Sequence, residues 1–239
     1  MKQTFYTIYL WLFGIWVASF LTLLAAILTM LTSPLAPNSR WAHSIPQIWA
    51  KLAAFFLMIR VKVYGKENVV TTQSYVYVSN HQSMVDIFVI YGWLPSVFKW
   101  IMKADLGKIP FVGWACKAAG HIFLNRSTAV EAIKSMEEAK QKLQNGVSVL
   151  VFPEGSRTKT GAMGRFKKGA FRISEDLLLP IVPITLKGSY DRLPRNHGPR
   201  FACGTVEMFI HQPITLENFR PEDENELMQK VWDIINSKL

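Results

Sequence analysis

Residues 3–39 contain no charged side chain, and residues 5–31 (FYTIYLWLFGIWVASFLTLLAAILTML) are almost entirely apolar. A helix of that length is roughly 40 Å long, against roughly 30 Å for the hydrocarbon core of a bilayer. A domain built from 239 residues does not easily bury a helix that is apolar on every face. The run is too long for the core of a signal peptide; Lys2 alone precedes it, and no small-residue cleavage site follows. The segment is therefore expected to span a bilayer with tilt, or to enter and bend back, with a buried core helix as the competing reading. Arg40, Lys51, Arg60, Lys62 and Lys66 all follow it, which by the positive-inside rule puts the remainder on the cytoplasmic side.

Composition narrows the partners. Lys plus Arg number 27 against 17 Asp plus Glu, a net charge of +10, so an anionic partner is expected. With an apolar anchor present, that partner is lipid, a phosphate-bearing substrate or an acidic carrier rather than nucleic acid. Half the residues are hydrophobic, which excludes a disordered chain. Cys116 and Cys203 form no CxxC pair, so neither a disulfide scaffold nor a cysteine zinc site is expected. No His, Cys or carboxylate cluster has metal-ligand spacing either.

Ser33-Pro34 and Pro37-Asn38 break the first helix. A second helix is expected from about Pro46 to Arg60, with Ile48, Trp49, Leu52, Phe55, Phe56 and Ile59 on one stripe. It suits a helix lying in the membrane interface or packing back on the first, or an ordinary amphipathic helix of the globular part. Residues 1–58 thus read as one or two membrane-anchoring helices and 59–239 as a single domain.

Beyond residue 58, strand-like and helix-like runs alternate. Strands are expected at 59–64, 75–79, 97–102, 121–124, 147–152, 181–186 and 205–210. Helices are expected at 86–93, 129–144, 167–177 and after Pro221. The fold class is α/β: a mixed, mainly parallel sheet with flanking helices, preceded by the N-terminal anchor.

The chemistry-bearing residues fall at strand ends, where ligands bind in open α/β sheets. The strand ending at Ser79 leads into Asn80-His81-Gln82-Ser83-Met84-Val85-Asp86. On one helix, His81 and Asp86 would lie about 140° apart and would not meet. With His81 in the loop and a helix starting near Ser83, Asp86 can point back, take the Nδ1 proton and leave Nε2 as a base. Ser83 and Asp86 also have capping-box spacing, so Asp86 as a simple helix cap is the rival reading.

The strand 147–152 leads into Pro153-Glu154-Gly155-Ser156-Arg157. Six basic residues and no acid follow up to Ile173: Arg157, Lys159, Arg165, Lys167, Lys168 and Arg172. Arginine suits bidentate phosphate binding. A solvated basic loop facing acidic headgroups is the alternative. Lys103 also ends a strand and can reach the same phosphate, or be a surface lysine. The Phe111 and Trp114 stretch after it either lines an apolar groove or is core. His43, His197 and His211 stand alone and are expected to be structural or solvated.

In order, NHQSMVD, KADLGKIPFVGW, GHIFLNR, VFPEGSRT and LPIVPI resemble the acyltransferase blocks of the glycerolipid acyltransferases. The nearest resemblance is to the 1-acylglycerol-3-phosphate acyltransferases of the bacterial PlsC type. The blocks run from Asn80 to Ile184, close to half the chain. Ser156 stands where Thr is usual and Asn125 where Asp is frequent.

The resemblance implies a glycerophosphate-acyltransferase-like fold and catalysis by His81 and Asp86. It implies substrate phosphate binding through Glu154, Gly155 and Arg157, with Lys103 in the same role. Glu154, an anion, would orient Arg157 or bond an acceptor hydroxyl. The implied reaction moves an acyl chain from an acyl-CoA or acyl carrier protein thioester to the sn-2 hydroxyl of lysophosphatidate, at a bacterial inner membrane. No bound cofactor or metal is implied, because the thioester is already activated. Oxyanion donors are expected among backbone N–H groups of the turn near His81 or Gly155. The alternatives are a related acceptor (glycerol 3-phosphate or another lysophospholipid), an acyl-enzyme on Ser83, and a catalytically silent anionic-lipid-binding protein.

Overall fold

Residues that are buried on both faces of a sheet read as continuous apolar runs, and three such runs make the centre of this molecule. A computed structural model describes residues 2–124, 146–195, 201–216 and 223–239. The strands are β1 (Ile59–Tyr64), β2 (Val76–Ser79), β3 (Phe98–Lys103), β4 (Ile122–Leu124), β5 (Ser148–Val151), β6 (Ile181–Lys187) and β7 (Gly204–Ile210). They form one sheet in the order β1-β7-β6-β2-β5-β3-β4. All neighbours are parallel except β6 and β7. The expected strands therefore stand, with ends shifted by a residue or so.

Strand alternation divides the core in two. Tyr77, Leu150, Val182 and Ile184 point to one face and Val76, Val78, Val149 and Ile181 to the other. The first face is covered by α3 (Arg40–Phe56) and α4 (Val85–Trp93). The second is covered by α6 (Gly169–Leu177) and α7 (Glu224–Asn236). A short α5 (Val112–Ala118) lies between β3 and β4. The helix expected at 129–144 lies outside the described residues, as do Asn125 and His197.

The N-terminal apolar segment is α1 (Lys2–Tyr9), a π-helical turn (Leu10–Gly14) and α2 (Ile15–Thr32). Residues 4–32 make one apolar helix of 29 residues, long enough to cross a membrane. It folds back on α3. Near one end, the Tyr6 hydroxyl donates to the Leu57 carbonyl at 2.7 Å and that of Tyr9 to Phe56 at 3.1 Å. Midway, Trp49 Nε1 donates to Thr22 Oγ1 at 3.0 Å. Beyond the far end, buried Lys99 of β3 donates to the Pro37 carbonyl at 2.6 Å and to Ala119 at 2.7 Å. α2 and α3 are thus a hairpin laid along the domain.

α3 departs from expectation at its start. It starts at Arg40, not near Pro46: the Ser39 hydroxyl caps it by accepting from the Ala42 N–H at 3.1 Å, and Pro46 sits inside. Its buried face is the one made of small side chains. Ala42, Ala50, Ala53 and Ala54 pack inward, while Ile48, Leu52 and Phe55 (72% exposed) face out. Small side chains let α3 approach the domain closely; of the apolar stripe, Trp49 packs on Phe88 with ring centroids 5.2 Å apart, while Ile48, Leu52 and Phe55 are left on the surface. Ile59, assigned to that stripe, is the first residue of β1.

Two of the solitary histidines are structural. His43 is wedged between Tyr91 and Phe98, with ring centroids 5.5 and 5.2 Å away. His211 Nε2 lies 2.9 Å from Thr185 Oγ1, and burial lowers its pKa.

Candidate active site

β2 and β5 are parallel neighbours, so the loops at their carboxyl ends meet. The β2 loop carries His81, and α4 begins at Val85, leaving Asp86 in its first turn. Asp86 is fully buried, and its Oδ2 accepts three hydrogen bonds: from His81 Nδ1 at 2.9 Å, Gln82 N at 2.7 Å and Ser83 N at 2.8 Å. The two roles that competed in the sequence therefore coexist, since one oxygen caps the turn and orients the imidazole. With Nδ1 as donor to a carboxylate, Nε2 is left as the acceptor. The ring is stacked on Phe152 at 3.8 Å and 8°, which fixes its plane, and its side chain keeps 15% of its surface exposed. Behind the loop, Asn80 pairs with Leu186 as a strand would, donating to its carbonyl and accepting from its N–H at 2.8 Å each.

The β5 loop is stitched to the β2 loop. Glu154 Oε1 accepts from the His81 N–H at 2.8 Å, and Oε2 from the Gly164 N–H at 2.8 Å. Thr158 N donates to the His81 carbonyl at 2.9 Å, and Gln82 Nε2 to that of Gly161 at 2.8 Å. Burial raises the pKa of Glu154, with the Gly164 and His81 N–H groups and the His81 ring pulling the other way and Asp86 adding to the rise. Both oxygens are engaged by backbone donors, so the glutamate braces two loops, where the sequence had suggested Arg157 or an acceptor hydroxyl as its partner.

Gly155 has φ +72°, a conformation L side chains rarely adopt, and a Cβ there would lie 2.9 Å from Lys167 Nζ. Lys167 thus stands over the turn, its own N–H donating to the Pro153 carbonyl at 2.9 Å. Arg157 is half-buried in the same loop, and its carbonyl accepts from Arg195 Nη1 at 2.8 Å. Lys103 is exposed at the end of β3, on the same edge of the sheet but beyond β5. His81, Asp86, Glu154 and Gly155 are brought together, Arg157 shares their loop, and Lys103 stands apart at the rim.

The basic run divides as well. Lys168 and Arg172 face Glu224 of α7 at 2.7 and 3.5 Å, so two of the six cations hold helices together. Lys167 was one of six in the sequence, and nothing in its spacing singles it out. The expected oxyanion donors are otherwise engaged: His81, Gln82 and Ser83 N–H as above, and Gly155 N–H with the Phe152 carbonyl at 3.0 Å. Ser83 Oγ donates to the Leu193 carbonyl at 2.9 Å and is buried, which removes it as a nucleophile poised for His81.

Fold and geometry define a class: an α/β domain with a His–Asp pair at the carboxyl ends of its central strands and a long apolar helix packed along it. An acyltransferase family model matches residues 60–187. The chain is 35% identical over 176 residues to the chloroplastic 1-acyl-sn-glycerol-3-phosphate acyltransferase LPAT1 of Arabidopsis thaliana, covering 73% of this chain and 49% of that one. With human 1-acyl-sn-glycerol-3-phosphate acyltransferase alpha it shares 37% identity over 174 residues, covering 72% and 61%. The match thus spans about half to three fifths of these relatives. The crystal structure of the 1-acyl-sn-glycerophosphate (LPA) acyltransferase PlsC from Thermotoga maritima superposes with a TM-score of 0.81 at 27% identity, covering 100% of this chain and 97% of that one. The chain belongs to the acyltransferase family.

Proposed function

We propose that the protein transfers an acyl chain from a thioester to the sn-2 hydroxyl of lysophosphatidate, yielding phosphatidate. The observation that carries this reading is the His81 Nδ1–Asp86 Oδ2 hydrogen bond, 2.9 Å long and anchored on a fully buried carboxylate. His81 Nε2 takes the hydroxyl proton as the oxygen attacks the thioester carbonyl, and Asp86 stabilises the imidazolium that forms. The tetrahedral intermediate collapses with cleavage of the C–S bond, and the imidazolium returns its proton to the departing thiolate. Acyl-CoA and acyl carrier protein both supply such a thioester, and no metal or bound cofactor is required to activate it. Arg157 and Lys103 hold the acceptor phosphate, as the resemblance implied, and Lys167 over the Gly155 turn adds a third cation. Glu154 and Gly155 serve the same subsite by shaping and bracing its loop.

Residues 1–58 act as the anchor and 59–239 as the catalytic domain. Because Lys99 holds the turn after α2 and Trp49 of α3 packs on Phe88 of α4, the α2–α3 hairpin enters the bilayer beside the domain rather than projecting through it. The basic domain then faces the anionic cytoplasmic side of a bacterial inner membrane, and the acyl tails of acceptor and product stay in lipid.

Thioester consumption by the protein in mild detergent tests this, with lysophosphatidate, glycerol 3-phosphate and lysophosphatidylcholine as acceptors beside a His81→Ala variant. Turnover selective for lysophosphatidate and lost in the variant is expected. Turnover on another acceptor keeps the chemistry and changes the substrate. No turnover with either CoA or carrier-protein thioesters, on folded protein, overturns the reading in favour of a silent lipid binder.

A further inference from the structure

Of the nine large apolar side chains exposed beyond residue 58 among the described residues, five lie within residues 106–114: Leu106, Ile109, Phe111, Val112 and Trp114. They follow Lys103 directly, from the 3₁₀ turn Ala104–Lys108 through the link 109–111 into the first residues of α5. The loop is compact, with backbone against backbone at Gly113 and the Lys117 and Phe123 side chains against Gly107. A Cβ on Gly113 would lie 2.6 Å from the Gly107 carbonyl oxygen, so the two chain segments touch with no side chain between them. The five apolar side chains point outward instead.

Phe111 sits at φ 59°, ψ −59°, with the Val112 N–H donating to the Pro110 carbonyl at 2.7 Å. This is a three-residue turn of the rare, strained positive-φ kind. The strain is retained at a side chain that packs beside Trp114, with ring centroids 5.3 Å apart, and remains open to solvent.

What covers the patch follows from its surroundings. α5 packs against α2, so the patch continues the outward apolar face of the N-terminal hairpin. Lys103, Lys108 and Lys117 are exposed around it, and the acid of the loop, Asp105, is paired with Lys108 at 3.0 Å. Tryptophan and phenylalanine ringed by lysines, continuous with an apolar helix face, match the headgroup region of an anionic bilayer.

We propose that this loop is a second membrane-inserting element, which seats Phe111 and Trp114 in the interface of an anionic bilayer beside the active-site rim. The proposal rests on the membrane-bound acyltransferase reading above. In its terms, the loop brings Lys103 to headgroup level, where the phosphate of a lysolipid lies.

The test uses full-length protein with Cys116→Ser and Cys203→Ser, reconstituted in phosphatidylglycerol or phosphatidylcholine vesicles. An environment-sensitive fluorophore is placed on Val112→Cys, Leu24→Cys or Leu178→Cys, and lipids carry spin labels at shallow or deep positions. The label at 112 is expected to shift to the blue in phosphatidylglycerol and to be quenched most by shallow spin labels, less so in phosphatidylcholine. The label at 178, on an exposed turn at the opposite end of the sheet, is expected to stay in water. If the labels at 112 and 178 behave alike while 24 is quenched, the loop proposal fails and the membrane reading stands. If 24 is also unquenched, the membrane reading itself fails.

Kinetics give a second readout. Phe111→Ser with Trp114→Ser is expected to slow acylation of vesicle-embedded lysophosphatidate by about tenfold or more, the scale of one or two lost aromatic anchors. Its rate on a monomeric short-chain acceptor is expected to be unchanged. Equal loss on both acceptors would place these side chains in catalysis and overturn the proposal.

Discussion

Asp86 spends one oxygen on three N–H donors, while its Oδ1 is buried and accepts none among the described residues. An asparagine can therefore keep all three bonds with its own oxygen and turn its amide into the Oδ1 position. Asp86→Asn is expected to preserve the His81 tautomer and orientation and to remove only the charge opposite the imidazolium. At an effective dielectric near 20, that charge is worth roughly 4 kcal/mol, or about a thousandfold in kcat. The unpaired buried amide costs about 1–3 kcal/mol of stability. Stopped-time assays and thermal melts of the variant check both.

Glu154 gives a pH signature. Burial raises its native pKa above that of the unfolded chain, so folding takes up a proton. Its contribution to stability accordingly grows as pH falls through the raised value and is lost as pH rises above it. The two braces need the ionised form, however. Mild acid is thus expected to lower kcat/KM before it lowers Tm, and Glu154→Gln, which keeps one acceptor, is expected to start lower and lose part of that acid limb. His81 and Asp86 were legible in the sequence because five residues and one helix start join them. The Glu154 brace was not, because its partners are backbone N–H groups, one of them 73 residues away, and such bonds leave no mark on side-chain pattern.

At the scale of elements, strands were legible to within a residue or so because runs such as Ser148–Val151 are apolar and bounded by Gly146 and Pro153. α3 was misread at its start because proline favours the first turn of a helix, and here Pro46 follows an earlier serine cap. Which way its apolar stripe faces was left open by the sequence, because the same stripe suits a lipid surface or a protein core. Two substitutions separate the faces. Ala53→Leu is expected to overpack the buried side and cost about 1–3 kcal/mol, seen as a lower Tm. Phe55→Ser is expected to leave Tm in detergent nearly unchanged and to weaken retention on vesicles in flotation assays.

For the whole molecule, the hairpin and the sheet are joined by a buried cation. Lys99 is 4% exposed and reaches both the Pro37 turn and Ala119. Lys99→Met is expected to leave those carbonyls without this donor, at about 1–3 kcal/mol. The loss is expected to appear as faster proteolysis in residues 33–39 rather than as loss of the sheet. Such a tie between distant segments has no sequence signal, although the apolar helix and the α/β sheet it joins were each evident from hydropathy and alternation.

The bond from Glu154 to the His81 N–H has one more consequence. It joins the loop that carries His81 to the loop that carries Gly155 and Arg157. His81 and Arg157 thus follow the ends of two paired strands, on loops bonded to each other. In the proposed reaction the site then works as a caliper: an acceptor qualifies when its hydroxyl stands at one set remove from its phosphate, whatever the length of the tail left in the lipid.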